Sequence, residues 1–293
     1  MYDAVIIGAG PGGYSCAIEI AKLGGRAAII EKDKVGGTCA NYGCIPTKSL
    51  INSVSLIEEL KLASRKGIEA TFTVDFGKIM KRKNRTVDTI VRGMELTLKE
   101  KGIDLFRGEA RILSEKRVCV GDSEIEAGNI VIATGSEPVT IFSGENIVTS
   151  REILEITAVP ERLVIIGGGV TGLEFAMIFQ LLGSRVTIIE ARDRLLPDLD
   201  ADLSAEIEKI VKRKGIIVRK GKKPRFDHTL ILDGEEICYD TILVAVGRKP
   251  CFHNLGDIRL DTVNEKMQTE VNTIFAVGDV TGRNQLAHVA TMQ

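Results

Sequence analysis

A chain of 293 residues, 44% hydrophobic and 27% charged, is roughly two domains' worth of core-forming protein, which excludes a disordered, collagen-like or coiled-coil polymer. Lys and Arg number 39 against 40 Asp and Glu, so no cationic excess exists to hold a phosphate backbone. Aromatics are 4% with no Trp, too few to stack bases, and no run approaches the roughly 20 apolar residues of a membrane span, so neither nucleic acid nor membrane is an expected partner.

Met1-Tyr2-Asp3-Ala4-Val5-Ile6-Ile7 enters a strand-like run at once, with no basic segment or cleavage site of an export signal. A cytoplasmic setting is expected, with the six cysteines as reduced thiols; a close pair such as Cys39 and Cys44 then points to redox or metal chemistry. The apolar strand Val5-Ile6-Ile7 leads into Gly8-Ala9-Gly10-Pro11-Gly12-Gly13 and a helical pattern from Cys16 to Leu23. A second strand, Ala27 to Ile30, ends in Glu31, 18 residues after the third motif glycine.

The same grammar recurs downstream. Leu163 to Ile166 leads into Gly167-Gly168-Gly169-Val170-Thr171-Gly172, a helix through Ala176 to Leu182, and Val186 to Ile189 ending in Glu190, again 18 residues on. In each copy the glycines Gly8, Gly10 and Gly13, or Gly167, Gly169 and Gly172, allow backbone approach to a pyrophosphate and close helix packing. Glu31 and Glu190 stand where a carboxylate accepts from a ribose 2′-hydroxyl.

Each copy also closes alike, with a hairpin signal (Gly121-Asp122, Asp233-Gly234) before a last strand ending in Ala133-Thr134-Gly135-Ser136-Glu137-Pro138 or Ala245-Val246-Gly247-Arg248-Lys249-Pro250. The expected fold class is α/β: two tandem Rossmann-like dinucleotide-binding domains, each a parallel sheet with helices and a three-stranded antiparallel meander. The first copy spans 125 residues from Gly10 to Gly135, against 78 from Gly169 to Gly247, and the cysteine pair lies in the surplus. Helical spacing covers Leu50–Leu62 and Ile79–Leu98, and Lys81-Arg82-Lys83 reads as a solvated helix face. Asp198, Asp200 and Asp202 near the start of a further helix, with Lys212, Arg213 and Lys214 at its end, suit the helix dipole.

Residues five apart in a regular helix rise about 7.5 Å, beyond the usual Cα separation of a disulfide, so Cys39 and Cys44 bridge only across distorted backbone. Gly43 supplies that freedom, and Pro46 suits an early helical position that leaves Cys44 near a helix N-terminus. A structural disulfide or half of a zinc site are the bland alternatives; no second cysteine or histidine pair completes a metal site.

Gly36-Gly37-Thr38-Cys39-Ala40-Asn41-Tyr42-Gly43-Cys44-Ile45-Pro46-Thr47-Lys48 resembles the active-site segment of the class I flavoprotein disulfide reductases (pyridine nucleotide-disulfide oxidoreductases), and among them the dihydrolipoamide dehydrogenases. The Ala-Thr-Gly end of the first copy and Thr269 through Phe275-Ala276-Val277-Gly278-Asp279 carry the same resemblance along the whole chain. It implies FAD in the first copy, held by Gly8, Gly10, Gly13, Glu31, Gly37, Thr38, Thr134, Gly135 and Asp279, which accepts from the ribityl chain. It implies NAD in the second, held by Gly167, Gly169, Gly172, Glu190 and Gly247, because the arginines of NADP-using relatives are replaced by Ala191 and Pro197. The catalytic residues implied are Cys39, the interchange thiol; Cys44, the charge-transfer thiol; and Lys48 near the flavin, paired with Glu174. Expected domains are 1–145 plus 268–293 for FAD and 146–267 for NAD.

The implied activity moves electrons between NAD(H), FAD and a Cys39–Cys44 disulfide to oxidise dihydrolipoamide; another small disulfide or dithiol substrate, or mercuric reduction, is the alternative. Relatives continue into a carboxy-terminal domain that forms the homodimer interface and supplies a His-Glu dyad. The three histidines here, His228, His253 and His288, lack the family's His-Pro setting, and His288 reads as structural. The expectation is an enzyme chain without that interface domain and poorly active alone, with a truncated nucleotide-binding fragment of at most diaphorase activity as the alternative. A 2-oxo acid dehydrogenase complex is a candidate partner of the full-length parent.

Overall fold

The computed structural model describes residues 1–252 and 262–293, so His253 lies outside the described residues. The chain opens with β1 (Tyr2–Ile7), α1 (Pro11–Lys22) and β2 (Ala27–Glu31), followed by α2 (Gly37–Tyr42), α3 (Cys44–Ala63) and α4 (Phe76–Glu100). Five strands follow: β3 (Asp104–Arg107), β4 (Ala110–Ser114), β5 (Arg117–Val120), β6 (Ser123–Ile132) and β7 (Ser136–Pro138). The second copy comprises β8 (Ile147–Thr149), β9 (Arg162–Ile166), α5 (Val170–Leu182), β10 (Arg185–Glu190), α6 (Ala201–Arg213) and β11 (Ile217–Lys220). It ends with β12 (Arg225–Asp227), β13 (Thr229–Leu232), β14 (Glu235–Ile237), β15 (Thr241–Val244) and β16 (Arg248–Pro250), before β17 (Ile274–Ala276) and α7 (Ala287–Met292).

The chain separates into two compact units, residues 1–45, 86–137 and 248–293 forming the first, residues 46–85 and 138–247 the second. In the first, the order β3-β2-β1-β6 is parallel throughout, with β17 beside β6. Strands covered on both faces carry unbroken apolar runs rather than alternation, and every residue of β2 is buried. The ten-residue β6 extends beyond that sheet to pair antiparallel with β5, which pairs with β4. The second unit repeats the plan with the parallel order β11-β10-β9-β15-β8 and a separate antiparallel meander β12-β13-β14. Both foreseen hairpin turns form: Gly121-Asp122 joins β5 to β6, and Asp233-Gly234, with φ of +53° and +85°, joins β13 to β14. The acidic start and basic end of α6 are likewise realised, with Asp200 as N-cap and Lys212 and Arg213 in the last turn.

The reading of Lys81-Arg82-Lys83 as a wholly solvated face is corrected. Lys81 and Arg82 are exposed, but Lys83 is only 1% exposed. It follows Ile79 and Met80 around α4 on the stripe that packs on the core of the second unit, one turn on, so its stem enters that core. The ammonium donates to the Leu154 carbonyl at 2.5 Å and to Glu155 Oε1 at 3.0 Å, which satisfies a charge that would otherwise be costly to bury. Lys83→Met keeps most of the volume and removes the donor from Leu154; denaturant unfolding should show this unit weakened by about 1–3 kcal/mol.

Candidate active site

The two glycine turns are built alike. A Cβ at Gly13 would stand 2.0 Å from the Gly8 carbonyl oxygen and one at Gly172 2.1 Å from that of Gly167, so helix and turn meet backbone to backbone. Behind each turn lies a carboxylate only 8% exposed. Glu31 accepts the Ala9 N–H on Oε2 and the Asp33 N–H on Oε1, both at 2.7 Å. Glu190 repeats this with the N–H groups of Gly168 at 2.6 Å and Arg192 at 2.8 Å. A carboxylate offers about four lone-pair sites, so each retains capacity for a ligand hydroxyl.

Gly10 and Gly169 are the N-caps of α1 and α5, neither cap makes a side-chain hydrogen bond, and a Cβ at either would meet nothing within 4 Å. The N-cap of each helix therefore borders open space at the positive end of the dipole, and the early backbone N–H groups, which in α1 start after Pro11, are a donor set that fits a diphosphate.

In the first unit the cysteine segment abuts the first of these turns. A Cβ at Gly37 would lie 2.7 Å from Gly10 Cα, which brings the start of α2 against the glycine turn. Cys39 lies within α2 and Cys44 is the first residue of α3; both are half-buried, and Gly43 is the single residue between the helices. A Cβ at Gly43 would meet the Thr38 carbonyl oxygen at 3.2 Å and Cys39 Cα at 3.6 Å, so the backbone doubles back over Cys39 immediately before Cys44. The regular helix that would hold the two sulfurs apart is broken at the residue where the sequence requires it.

Thr134 and Gly135 lie between β6 and β7, and the Thr134 hydroxyl donates to the Cys251 carbonyl at 2.7 Å. Gly247 holds the matching place in the second copy, its carbonyl accepting the Val139 N–H at 3.0 Å. Asp279, in a short 3-10 turn, accepts the Ser136 hydroxyl at 2.5 Å. The Arg248 guanidinium caps this group: Nε donates to Ser136 Oγ at 2.7 Å, Nη2 to the Ser136 carbonyl and to Thr38 Oγ1 at 3.4 Å, and Nε stands 4.0 Å from Asp279 Oδ2. Burial pulls the Arg248 titration below its ordinary value and the facing Asp279 opposes this; an arginine stays charged in either case. Burial, then Glu137, push the neighbouring Cys251 thiol up. Within the second unit Lys48 Nζ and Glu174 Oε1 form the expected ion pair at 2.6 Å.

The model of the family described as pyridine nucleotide-disulphide oxidoreductase matches residues 2–293. The chain belongs to the pyridine nucleotide-disulphide oxidoreductase family. It is 38% identical over 311 residues to a dihydrolipoyl dehydrogenase of Acholeplasma laidlawii, covering 99% of this chain and 93% of that protein. A Bacillus subtilis dihydrolipoyl dehydrogenase is also 38% identical, over 97% of this chain and 68% of its own length. Among solved structures, LpdA from Mycobacterium tuberculosis superposes with a TM-score of 0.90 at 27% identity, covering 99% of this chain and 70% of its own. The HOCl-induced flavoprotein disulfide reductase RclA from Escherichia coli gives 0.84 at 30% identity, covering 99% and 69%. Among the described residues no helix is long and apolar enough to cross a membrane.

For this oxidoreductase the residues that sequence reasoning missed are Ser136 and Arg248. Each follows the closing glycine of its copy, Gly135 or Gly247, and β7 pairs with β16, so matched positions of the two repeats meet side by side. Their matched place was the available signal. His228 and His288 are both exposed. The thiols also separate by environment: burial pushes Cys16 up to about 11, from 9.0. At pH 8 its thiolate fraction is therefore about 100-fold below an unperturbed thiol's. Timed iodoacetamide labelling with peptide mass readout should show exposed Cys238 modified well before Cys16.

Proposed function

We propose that this chain moves electrons between NAD(H) and a lipoamide-type disulfide, using FAD and the Cys39–Cys44 pair. The observation that carries the reading is the redox segment folded at Gly43 and seated through Gly37 on the first of two matching dinucleotide turns. FAD is held by Gly8, Gly10, Gly13, Glu31, Gly37, Thr38, Thr134, Gly135 and Asp279, and NAD by Gly167, Gly169, Gly172, Glu190 and Gly247. We assign 1–145 with 268–293 to the flavin and 146–267 to the nicotinamide nucleotide. The flavin, when bound, supplies the two-electron link between nicotinamide and the cysteine pair.

The protein's own chemistry is thiol exchange. In lipoamide reduction the Cys39 thiolate attacks one sulfur of the substrate disulfide and the other sulfur leaves as a thiolate that takes up a proton. Cys44 then attacks Cys39 Sγ, the second substrate thiol departs, and two electrons have passed from the cysteine pair to the substrate. Dihydrolipoamide oxidation is the reverse. Cys44, first residue of the 20-residue α3, has its thiolate at the positive end of that helix.

The preference for NAD rests on Glu190, a buried acceptor suited to a free 2′-hydroxyl. Arg192 is bound to Asp198 at 2.8 Å and Arg194 to the Pro197 carbonyl at 2.8 Å. The first pair is solvent-exposed and worth about 0–1 kcal/mol, so the carboxylate rather than the pair carries the discrimination. We place the protein in the cytoplasm, its substrate a lipoamide-type disulfide, with the homodimer and the 2-oxo acid dehydrogenase complex assigned to the full-length parent.

Adding NADH anaerobically to the FAD-loaded chain should create two new alkylatable thiols, at Cys39 and Cys44, and support lipoamide reduction. Cys39→Ser and Cys44→Ser should each lower lipoamide reduction at least about 1,000-fold while NADH-driven ferricyanide reduction persists. NADH consumption with ferricyanide but no new thiols would sink the disulfide reading in favour of a diaphorase. Lys48 and Glu174 are 59% and 26% exposed, so Glu174→Gln should change unfolding free energy by no more than about 1 kcal/mol. If the pair serves electron transfer, rapid-mixing measurement of thiol appearance in that variant should slow about tenfold or more.

A further inference from the structure

Resting on the assignment of FAD and the Cys39–Cys44 pair above, we propose that Arg248 is a positioning residue for both: it fixes the Asp279 carboxylate through Ser136 and holds the start of the cysteine helix through Thr38. All the residues concerned lie in the first unit.

The direction of each bond is forced by chemistry. A guanidinium donates and cannot accept, so Ser136 Oγ receives the Arg248 Nε–H at 2.7 Å and must spend its single proton elsewhere. It spends it on Asp279 Oδ2 at 2.5 Å, which makes Asp279 an obligate acceptor. Among the described residues Oδ1 has no partner, so that oxygen is the one left to receive a ligand hydroxyl. Ser136 is 8% exposed, and the Arg248 and Asp279 side chains 23% and 24%, so solvent competes little for these bonds.

The other side of the fork reaches α2. Nη2 donates to Thr38 Oγ1 at 3.4 Å, and the Thr38 carbonyl is the group over which Gly43 folds. Arg248 thus touches the residue before Cys39 and, through Ser136, the acceptor that the flavin reading requires. Lysine cannot substitute, because its donors radiate from one atom and cannot span the Ser136 hydroxyl, the Ser136 carbonyl and Thr38 in one plane.

Two readouts test this on the full chain. The first is the FAD dissociation constant by equilibrium dialysis. The second, on FAD-free protein, is the equilibrium of Cys39 and Cys44 with reduced and oxidised dithiothreitol, read by alkylation and mass spectrometry. There the pair loses two electrons and two protons on forming its disulfide, and cyclic dithiothreitol gains them. Arg248→Met and Arg248→Lys should each weaken FAD and shift the dithiol equilibrium more than threefold. Arg248→Met added to Asp279→Asn should weaken FAD less than threefold further, because the two act in series. Values within threefold of wild type in a folded Arg248→Met, or losses that multiply in the double variant, would overturn the proposal. If Arg248→Met does not fold by circular dichroism, single-bond variants decide it: Ser136→Ala must weaken FAD, and Thr38→Val must shift the dithiol equilibrium, more than threefold, and smaller effects overturn it. A wild-type chain that neither retains FAD nor forms the Cys39–Cys44 disulfide would overturn the underlying assignment, and the proposal with it.

Discussion

A buried carboxylate behind a glycine turn is the constraint on which both copies depend. Burying an ionised group is costly unless hydrogen bonds replace its water, and Glu31 and Glu190 each receive two backbone N–H bonds from different segments. One bond grips the turn that follows the first strand and the other grips the loop that follows the second strand. The carboxylate thereby ties together the ends of two parallel strands whose register, Ile7 opposite Ile30 and Ile166 opposite Ile189, brings those ends level. With the turn held from behind, the space at the N-cap glycines of α1 and α5, Gly10 and Gly169, remains open. The acid first builds the cradle.

The duplicated plan was legible in the amino-acid order because it rests on local signals. Unbroken apolar strands, glycines at fixed offsets and an acid 18 residues on are short-range features, and the structure repeats them at both places. Legibility failed where a contact is distant in sequence. Lys83 sits in a run of three cations that reads as surface, yet helical phase alone puts it under the Ile79 and Met80 stripe, and its carbonyl acceptor is 71 residues away. A charge run reports average polarity, whereas burial follows the phase of each residue.

The Ser136 and Arg248 contact spans 112 residues, beyond the reach of any window. It follows nonetheless from the repeat itself. The two copies close with the same glycine-X-X-proline pattern, and equivalent edges of a duplicated unit are matched in length and polarity, so β7 and β16 can pair. The serine of one copy and the arginine of the other occupy the same place in that pattern. Comparing the copies for where they differ, rather than where they agree, would have singled the pair out.

The two cysteines stand at unequal helical positions. Cys39 sits inside the six-residue α2, whereas Cys44 begins the 20-residue α3, at the end where the N–H groups of a helix carry partial positive charge. In thiol exchange the sulfur that leaves more readily is the one whose thiolate is better stabilised. On the proposed function, attack on a Cys39–Cys44 disulfide would therefore fall on Cys39, with Cys44 expelled, and a substrate reaching the pair from the other end would meet the poorer leaving group. The helix break at Gly43 performs two tasks with one residue: it lets the backbone fold over Cys39, and it starts a new helix at Cys44. An unbroken helix through residues 39–44 would abolish both, separating the thiols and depriving Cys44 of its terminal position.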